Sequence, residues 1–328
     1  MEIQREKFKR LFVALVTPYK KGSFEVDEQQ LRKLIQYFLQ PRYIEAGIAL
    51  IINPEAGELF YLSRDEKRRN VEIAVEEVAG RVPLLAGAFD MSTADTADIA
   101  RDARDAGVNG LFVMPPKGTE DITMSWDPAA NPEVVIDYWG EIANAGGLPL
   151  VCHPSASVTM PYGVGFPAPA VVKICEALPQ IVGWKMTYSM DGYRIVSRAL
   201  RSLARSVWVL GAPAYFFHEV LAAGVFDGTV TGSFNYALEP MMEHILAWRE
   251  RDVDKALRIW DGGLRQLHEY IYDYKRLHIR YKTAAWLRGL IESPLMRPPM
   301  PKPNAAEIQT LRTLLANAGI SVISDTEL

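Results

Sequence analysis

Short apolar runs recur along the chain, and after a polar or Gly/Pro-rich break most are followed by a longer stretch with apolar residues at helical spacing. The runs are Leu11–Val16, Gly47–Ile52, Val82–Ala86, Gly110–Met114, Leu148–Cys152, Ile181–Trp184, Val207–Leu210 and Gly228–Thr231. They are apolar throughout rather than alternating, which predicts strands buried on both faces. Between them the spacing predicts helices over Asp27–Leu39, Ser92–Ala106, Pro132–Ala145, Ala168–Leu178, Gly192–Leu203 and Ala214–Ala223. Another helix opens on Ser63, with Glu66 completing a capping box, and runs through Val71–Val78. Asn53–Leu59 and Lys117–Asn131 read as loops. Eight strand–helix alternations without a hairpin signal predict an α/β fold, a (β/α)8 barrel. An open doubly wound sheet fits less well, because no GxGxxG follows the first strand.

From Pro240 onward the strand signal is gone, and Met241–Arg249, Asp254–Tyr274, Thr283–Ile291 and Ala305–Ala318 read as helices. The Pro-rich Pro294–Pro303 reads as an extended connector. The expected organisation is a barrel over residues 1–236 with a C-terminal helical appendage over residues 237–328. The appendage holds more aromatics, among them Trp248, Trp260, Tyr270 and Trp286, than an exposed bundle needs. It is expected to pack on the barrel and to share surface with another subunit, as a dimer or tetramer.

Composition narrows the class. The 328 residues are 49% hydrophobic and 23% charged, with a net charge of −4 and a pI near 5.8. The basic residues are interspersed with acidic ones, so no nucleic-acid partner is expected. Cys152 and Cys175 are the only cysteines, which argues against a disulfide framework. The first ten residues, MEIQREKFKR, lack the apolar core of a secretory signal, and no stretch is long enough to span a bilayer. A cytoplasmic globular protein is the expectation.

In a barrel the reactive groups sit where strands end. Those positions carry Thr17, Asn53–Glu58, Asp90, Lys117, His153, Lys185, Gly211–Tyr215 and Thr231–Asn235. Lys185 closes the run IVGW. A lysine half inside an apolar wall has a lowered pKa and becomes a nucleophilic amine. The plainer reading is a lysine whose stem lies along the wall while its head reaches water. A metal is not expected: His153 has no partner at ligand spacing, and His218, His244, His268 and His278 fall on helices.

The pieces ALVTPY, AGELFYLSRDEK, GRVPLLAGA, DAGVNGLFVMPP, LPLV, IVGWK and GVFDGTVTGSFNYALEP occur in order from about Leu11 to Ala318. In that order and spacing the chain resembles the dihydrodipicolinate synthase / N-acetylneuraminate lyase family. The resemblance implies a barrel with a C-terminal helical domain and a lysine that forms a Schiff base with a 2-oxo acid. Lys185 matches that lysine, and no metal or organic cofactor is then needed. Around it the chain departs from the family. Where members carry Gly-Thr-Thr-Gly-Glu, whose hydroxyls help hold the keto acid, this chain has Pro54-Glu55-Ala56-Gly57-Glu58. Glu55, Ala56 and Gly57 are therefore the expected substrate-binding residues, with Val230 lining the site from the last strand. His153 stands where the family has its proton-relay tyrosine, Lys117 where it has a second tyrosine, and Val158 near the place of a carboxylate-binding arginine.

These readings point to a Schiff-base class I lyase or aldolase acting on a 2-oxo acid or related carbonyl compound, and not to the lysine-biosynthetic enzyme. Lys185 and His153 are the expected catalytic pair. An ionised Glu55 facing the pocket would oppose a carboxylate, unless Glu55 turns away and pairs with an arginine such as Arg64. Two other readings stay open: a barrel that has lost catalysis and binds a small molecule or partner, and a non-Schiff-base enzyme using Glu55, Glu58 and His153.

Overall fold

The structure is a computed structural model that describes residues 4–117, 127–155, 165–212, 215–272 and 275–324. Eight parallel strands close into a barrel: β1 (Leu11–Ala14), β2 (Ile48–Ile52), β3 (Leu84–Ala88), β4 (Gly110–Val113), β5 (Leu150–Cys152), β6 (Ile181–Met186), β7 (Trp208–Gly211) and β8 (Gly228–Thr231). Closure is made by β1, which pairs Phe12 with Ala49 on one side and with Val230 on the other. Each strand falls on a predicted apolar run.

The continuous apolarity has a direct cause, since both faces of every strand are covered. One face fills the barrel, where Phe12, Ile51, Leu85, Phe112, Val151, Leu210 and Val230 pack together. The other packs under the surrounding helices, with Leu11, Val13, Leu50, Leu84 and Leu111 in the larger core. Each fully buried Leu, Ile, Val or Phe contributes about 1.5–3 kcal/mol of transfer free energy. Side-chain direction alternates along a strand, so the residue two places beyond an inward residue also points in. Val151 therefore projects forward to His153. On β6, a Cβ built on Gly183 would meet the inward Leu210 and Val151 side chains, so Lys185 lies on that same face.

The helix starts follow the capping chemistry read from the sequence. Ser63 accepts from the Glu66 N–H while the Glu66 carboxylate accepts from the Ser63 N–H, and Asp27 and Ser92 cap their own helices. The last barrel helix covers Phe217–Ala222, and Ala214, where it was expected to begin, lies outside the described residues.

The C-terminal part is helical, but three boundaries differ from expectation. The helix expected from Met241 begins at Phe234 and kinks at Ala237 (φ −137°). After the kink, Pro240 falls in the first turn of the second segment, where its missing N–H has no partner to lose. The expected helix Asp254–Tyr274 is broken into Val253–Ile259 and Arg265–Ile271 by a turn at Trp260–Leu264. Gly263 (φ 121°) forces that break, and a Cβ on it would lie 2.6 Å from the Asn317 carbonyl oxygen. The helix expected over Thr283–Ile291 spans Leu277–Leu287. Its start was hidden because Lys282 reads as a surface residue but is buried. Among the described residues, no helix is long and apolar enough to cross a membrane.

Buried histidines join the appendage to the barrel. His244 and His268 are wholly buried; both ring centroids lie within 6 Å of that of Trp260, at 5.4 and 5.9 Å. His244 Nε2 is 2.9 Å from His218 Nδ1, and His268 Nδ1 is 2.8 Å from the Tyr236 hydroxyl. Burial first, and a neighbouring imidazole second, push both down to about 3 from 6.5. The unfolded chain thus takes protons that the folded chain refuses. Their contribution is complete above pH 6.5 and shrinks as the pH falls toward 3, by about 1.4 kcal/mol per pH unit for each histidine. Urea denaturation should therefore show a stability loss between pH 6.5 and 5 that the His268→Phe variant makes shallower. An equally steep loss in the variant would place the acid sensitivity elsewhere.

Candidate active site

At the C-terminal mouth of the barrel lies a cleft of about 200 Å³, partly open to solvent. Its floor holds Lys185, His153, Glu55, Ala56 and Val230, joined by Thr187, Ala212 and Thr231 from neighbouring strand ends. Its roof comes from the C-terminal part: Tyr272, Lys275, Arg276, His278, Tyr281 and Met300.

Three side chains form a chain of contacts. Glu55 Oε2 lies 2.6 Å from His153 Nε2 and 3.6 Å from Lys185 Nζ. Lys185 is 12% exposed and His153 3%, with the inward Phe112 ring centroid 5.7 Å from the Lys185 ammonium. Burial lowers the Lys185 pKa, and Glu55 resists that shift. Burial would by itself raise the Glu55 carboxyl, but His153 and Lys185 outweigh it and hold Glu55 well below the usual carboxylate range. His153 is pushed down to about 4 by burial and by Lys185, against the pull of Glu55. Three groups thus meet at one carboxylate oxygen: an ionised carboxylate, an imidazole whose protonated form burial disfavours, and an amine whose charge is costly to keep.

The loop that carries Glu55 is tightly built. Residues Glu55–Gly57 make one 3-10 turn, closed by Glu58 in a left-handed conformation (φ 64°). The Gly57 N–H donates to the Pro54 carbonyl (3.0 Å), and the Thr17 hydroxyl donates to the Gly57 carbonyl (2.6 Å). Only glycine fits at 57, because a Cβ there would sit 2.6 Å from the Leu15 carbonyl oxygen. Beyond the turn, Glu58 is sealed from solvent and paired with Lys282 at 2.6 Å. It also accepts from the Arg297 N–H at 2.8 Å.

The cleft therefore gathers Lys185, His153, Glu55, Ala56 and Val230 from the expected site residues, and Gly57 is not among those that line it. Glu55 does not pair with Arg64, which is held by Asp98 and Asp102. Asp90 is engaged by Lys67, and Lys117 is not among the lining residues. Val158 lies outside the described residues. Tyr272, His278 and Tyr281 were missed because they belong to no strand end; the aromatic content of the appendage was the one signal available for them.

The family model that matches this chain is that of the dihydrodipicolinate synthetase family, over residues 7–318. The chain belongs to this family. It is 28% identical over 316 residues to the 4-hydroxy-tetrahydrodipicolinate synthase of Nitratidesulfovibrio vulgaris (strain DP4), covering 96% of this chain and 99% of that one. To the 4-hydroxy-tetrahydrodipicolinate synthase of Methanopyrus kandleri it is 27% identical over 317 residues, covering 94% and 95%. The fold is similar to that of dihydrodipicolinate synthase from Aquifex aeolicus (TM-score 0.78, 22% identity, 96% and 99% covered). It is as similar to YagE of E. coli K12 in complex with pyruvate (TM-score 0.78, 22% identity, 96% and 99% covered). The architecture is a TIM barrel with a C-terminal helical part. As a member of the dihydrodipicolinate synthetase family the protein is an enzyme of the lyase class, and membership supports a Schiff-base lyase or aldolase.

Proposed function

We propose that the protein forms a Schiff base between Lys185 and a 2-oxo acid or related carbonyl compound, then breaks a C–C or C–O bond in that adduct. The observation that carries this reading is the contact chain Lys185 Nζ, Glu55 Oε2, His153 Nε2, with links of 3.6 and 2.6 Å. An amine and a proton relay share one carboxylate.

The chemistry runs from the charges. Deprotonated Lys185 attacks the carbonyl carbon, and the Glu55–His153 pair takes the proton that the amine sheds. Passed to the alkoxide, that proton makes the carbinolamine hydroxyl, and a second proton, drawn from solvent through the same pair, lets water leave as a protonated imine forms. The imine draws in the electron pair released when a neighbouring bond breaks or a C3 proton is removed. Glu55 holds the imidazole in the tautomer that donates from Nε2 and offsets the positive charge of the iminium. Glu58, sealed against Lys282, takes no part in this scheme, which weakens the alternative that relies on it. Homo-oligomer formation stays within the proposal: Val253 and Leu257 are exposed one helical turn apart on the appendage.

Borohydride added with a carbonyl substrate should place a stable mass increment on Lys185, read by peptide mass spectrometry. An increment on Lys117 or Lys282, or none with any substrate, counts against the scheme. His153→Phe should lower kcat by about 10²- to 10⁴-fold, the usual worth of a positioned acid–base group. Because His153 is held below 6.5, the wild-type kcat/KM should fall on the acid side as that ring takes a proton. An acid limb unchanged in His153→Phe would move the relay to another group.

A further inference from the structure

The turn that presents Glu55 leaves β2 through an uncommon backbone. Asn53 has φ 51°, in the left-handed region. Asparagine tolerates that region better than most residues, but the following Pro54 favours extended backbone at this position. A residue so placed persists where its surroundings hold it, and such residues gather at active sites. We propose that Asn70, on the helix Arg64–Val78, is a positioning residue: through Asn53 it fixes the turn so that Glu55 meets Lys185 and His153. The inference rests on Glu55 being the shared carboxylate of the proposed imine chemistry.

Three observations carry it. The first is a directed chain of hydrogen bonds. Asn70 Nδ2 donates to Asn53 Oδ1 at 3.0 Å, and Asn53 Nδ2 donates to the Lys67 carbonyl at 2.8 Å. Both asparagines are 1% exposed, so removing one partner strands a buried polar atom. The second is the space left for the Asn53 main chain. A Cβ at Gly87 on β3 would lie 1.8 Å from the Asn53 carbonyl oxygen, so the bare glycine lets that carbonyl lie against the neighbouring strand. The third is the reach of the same helix to the next strand end. Lys67 Nζ donates to the Phe89 carbonyl at 2.9 Å and lies 3.4 Å from an Asp90 carboxylate oxygen. Lys67 and Asn70 stand three apart on one helix face, and that face clamps the mouths of β2 and β3.

The far end of the turn has a separate anchor, where Glu58 meets Lys282 and the Arg297 N–H. Asn70 therefore governs the near end, where Asn53 stands two residues before Glu55. A displacement of about 1 Å at a catalytic group costs on the order of 10²-fold, so a loose near end is felt in the chemistry.

The test compares the wild type with Asn70→Leu, which keeps the size of the side chain without its donor, and with Asn53→Gly. Glycine takes φ 51° without strain but has no side chain to be held, so that variant should fold with the turn loose. The first readout is the pH dependence of Lys185 acetylation by acetic anhydride, located by peptide mass spectrometry. Glu55 raises the Lys185 pKa, so in both variants the amine should react at lower pH. The other groups near it, His153, His278 and Phe112, are left in place. The second readout is the rate at which pyruvate and borohydride label Lys185, which should fall on the order of tenfold to a hundredfold. An acetylation profile that does not move overturns the inference, even where urea denaturation shows a loss of stability. An unchanged rate of pyruvate labelling overturns it too. If pyruvate labels nothing in the wild type, the imine reading falls, and the acetylation profile alone decides whether Asn70 places Glu55.

Discussion

Lys185→Ala is expected to lose turnover by on the order of 10³- to 10⁶-fold, the range over which removal of a covalent nucleophile is felt. In barrier terms that is about 4–8 kcal/mol. The loss is large because the amine enters the covalent path itself. Glu55, His153 and Phe112 surround it but cannot form an imine in its place. The substitution leaves a small cavity at the barrel mouth, where solvent can enter, so the fold should persist. It should also release His153 from one of the three influences that lower its pKa, since burial, the Lys185 ammonium and His278 depress the ring and Glu55 raises it. A His153 resonance that titrates higher in the variant, by NMR, would show that the three groups share one electrostatic site. Full activity in Lys185→Ala would end the Schiff-base reading and favour non-covalent chemistry at Glu55 and His153.

Lys282→Met should be the costliest single change for folding, at about 3–5 kcal/mol. The lysine and Glu58 are 1% and 0% exposed and 2.6 Å apart, and the ammonium lies 3.8 Å from the Tyr19 ring centroid. Burial pulls Lys282 down to about 8, with Glu58 holding it up. Methionine fills much of the same volume, so the penalty comes from the carboxylate left buried without its cation. The double variant Glu58→Gln/Lys282→Met should recover part of the loss, because the amide can still accept from the Arg297 N–H and carries no charge. Urea denaturation of the single and double variants measures this. Additive losses would mean that the two residues are not acting as a pair. The change also reaches the site, since the Glu58 N–H donates to the Glu55 carbonyl at 3.1 Å. The helix Leu277–Leu287 therefore braces the turn that presents Glu55.

These two lysines show how far the chain could be read in advance. Lys185 was legible because it ends an apolar run, and because strand ends in a barrel converge on one mouth. Lys282 was not. In the sequence it interrupts the run HIRYKTAAW as a charged residue, so the helix was placed six residues late, from Thr283 instead of Leu277. Nothing local marks it as buried, because its counter-ion Glu58 is 224 residues away. Glu55 belongs to the same class: its position in the β2 loop was evident, but its partner was not.

The sequence alone determined the parts that depend on short-range pattern: eight doubly buried strands, the capped helices between them, the break in strand signal at Pro240, and a lysine and a histidine at strand ends. Each of these follows from the apolarity, capping and alternation of neighbouring residues, which local sequence encodes. The tertiary structure decided that Glu55 faces Lys185 and His153, and that the Gly57 carbonyl is held by the Thr17 hydroxyl, 40 residues away. It also decided that His278 and Tyr281 roof the cleft, and that Gly263 breaks a helix by approaching Asn317. Those outcomes depend on contacts between residues tens to hundreds of positions apart, where the partner, and not the residue type, sets whether a charge is buried, paired or presented to substrate.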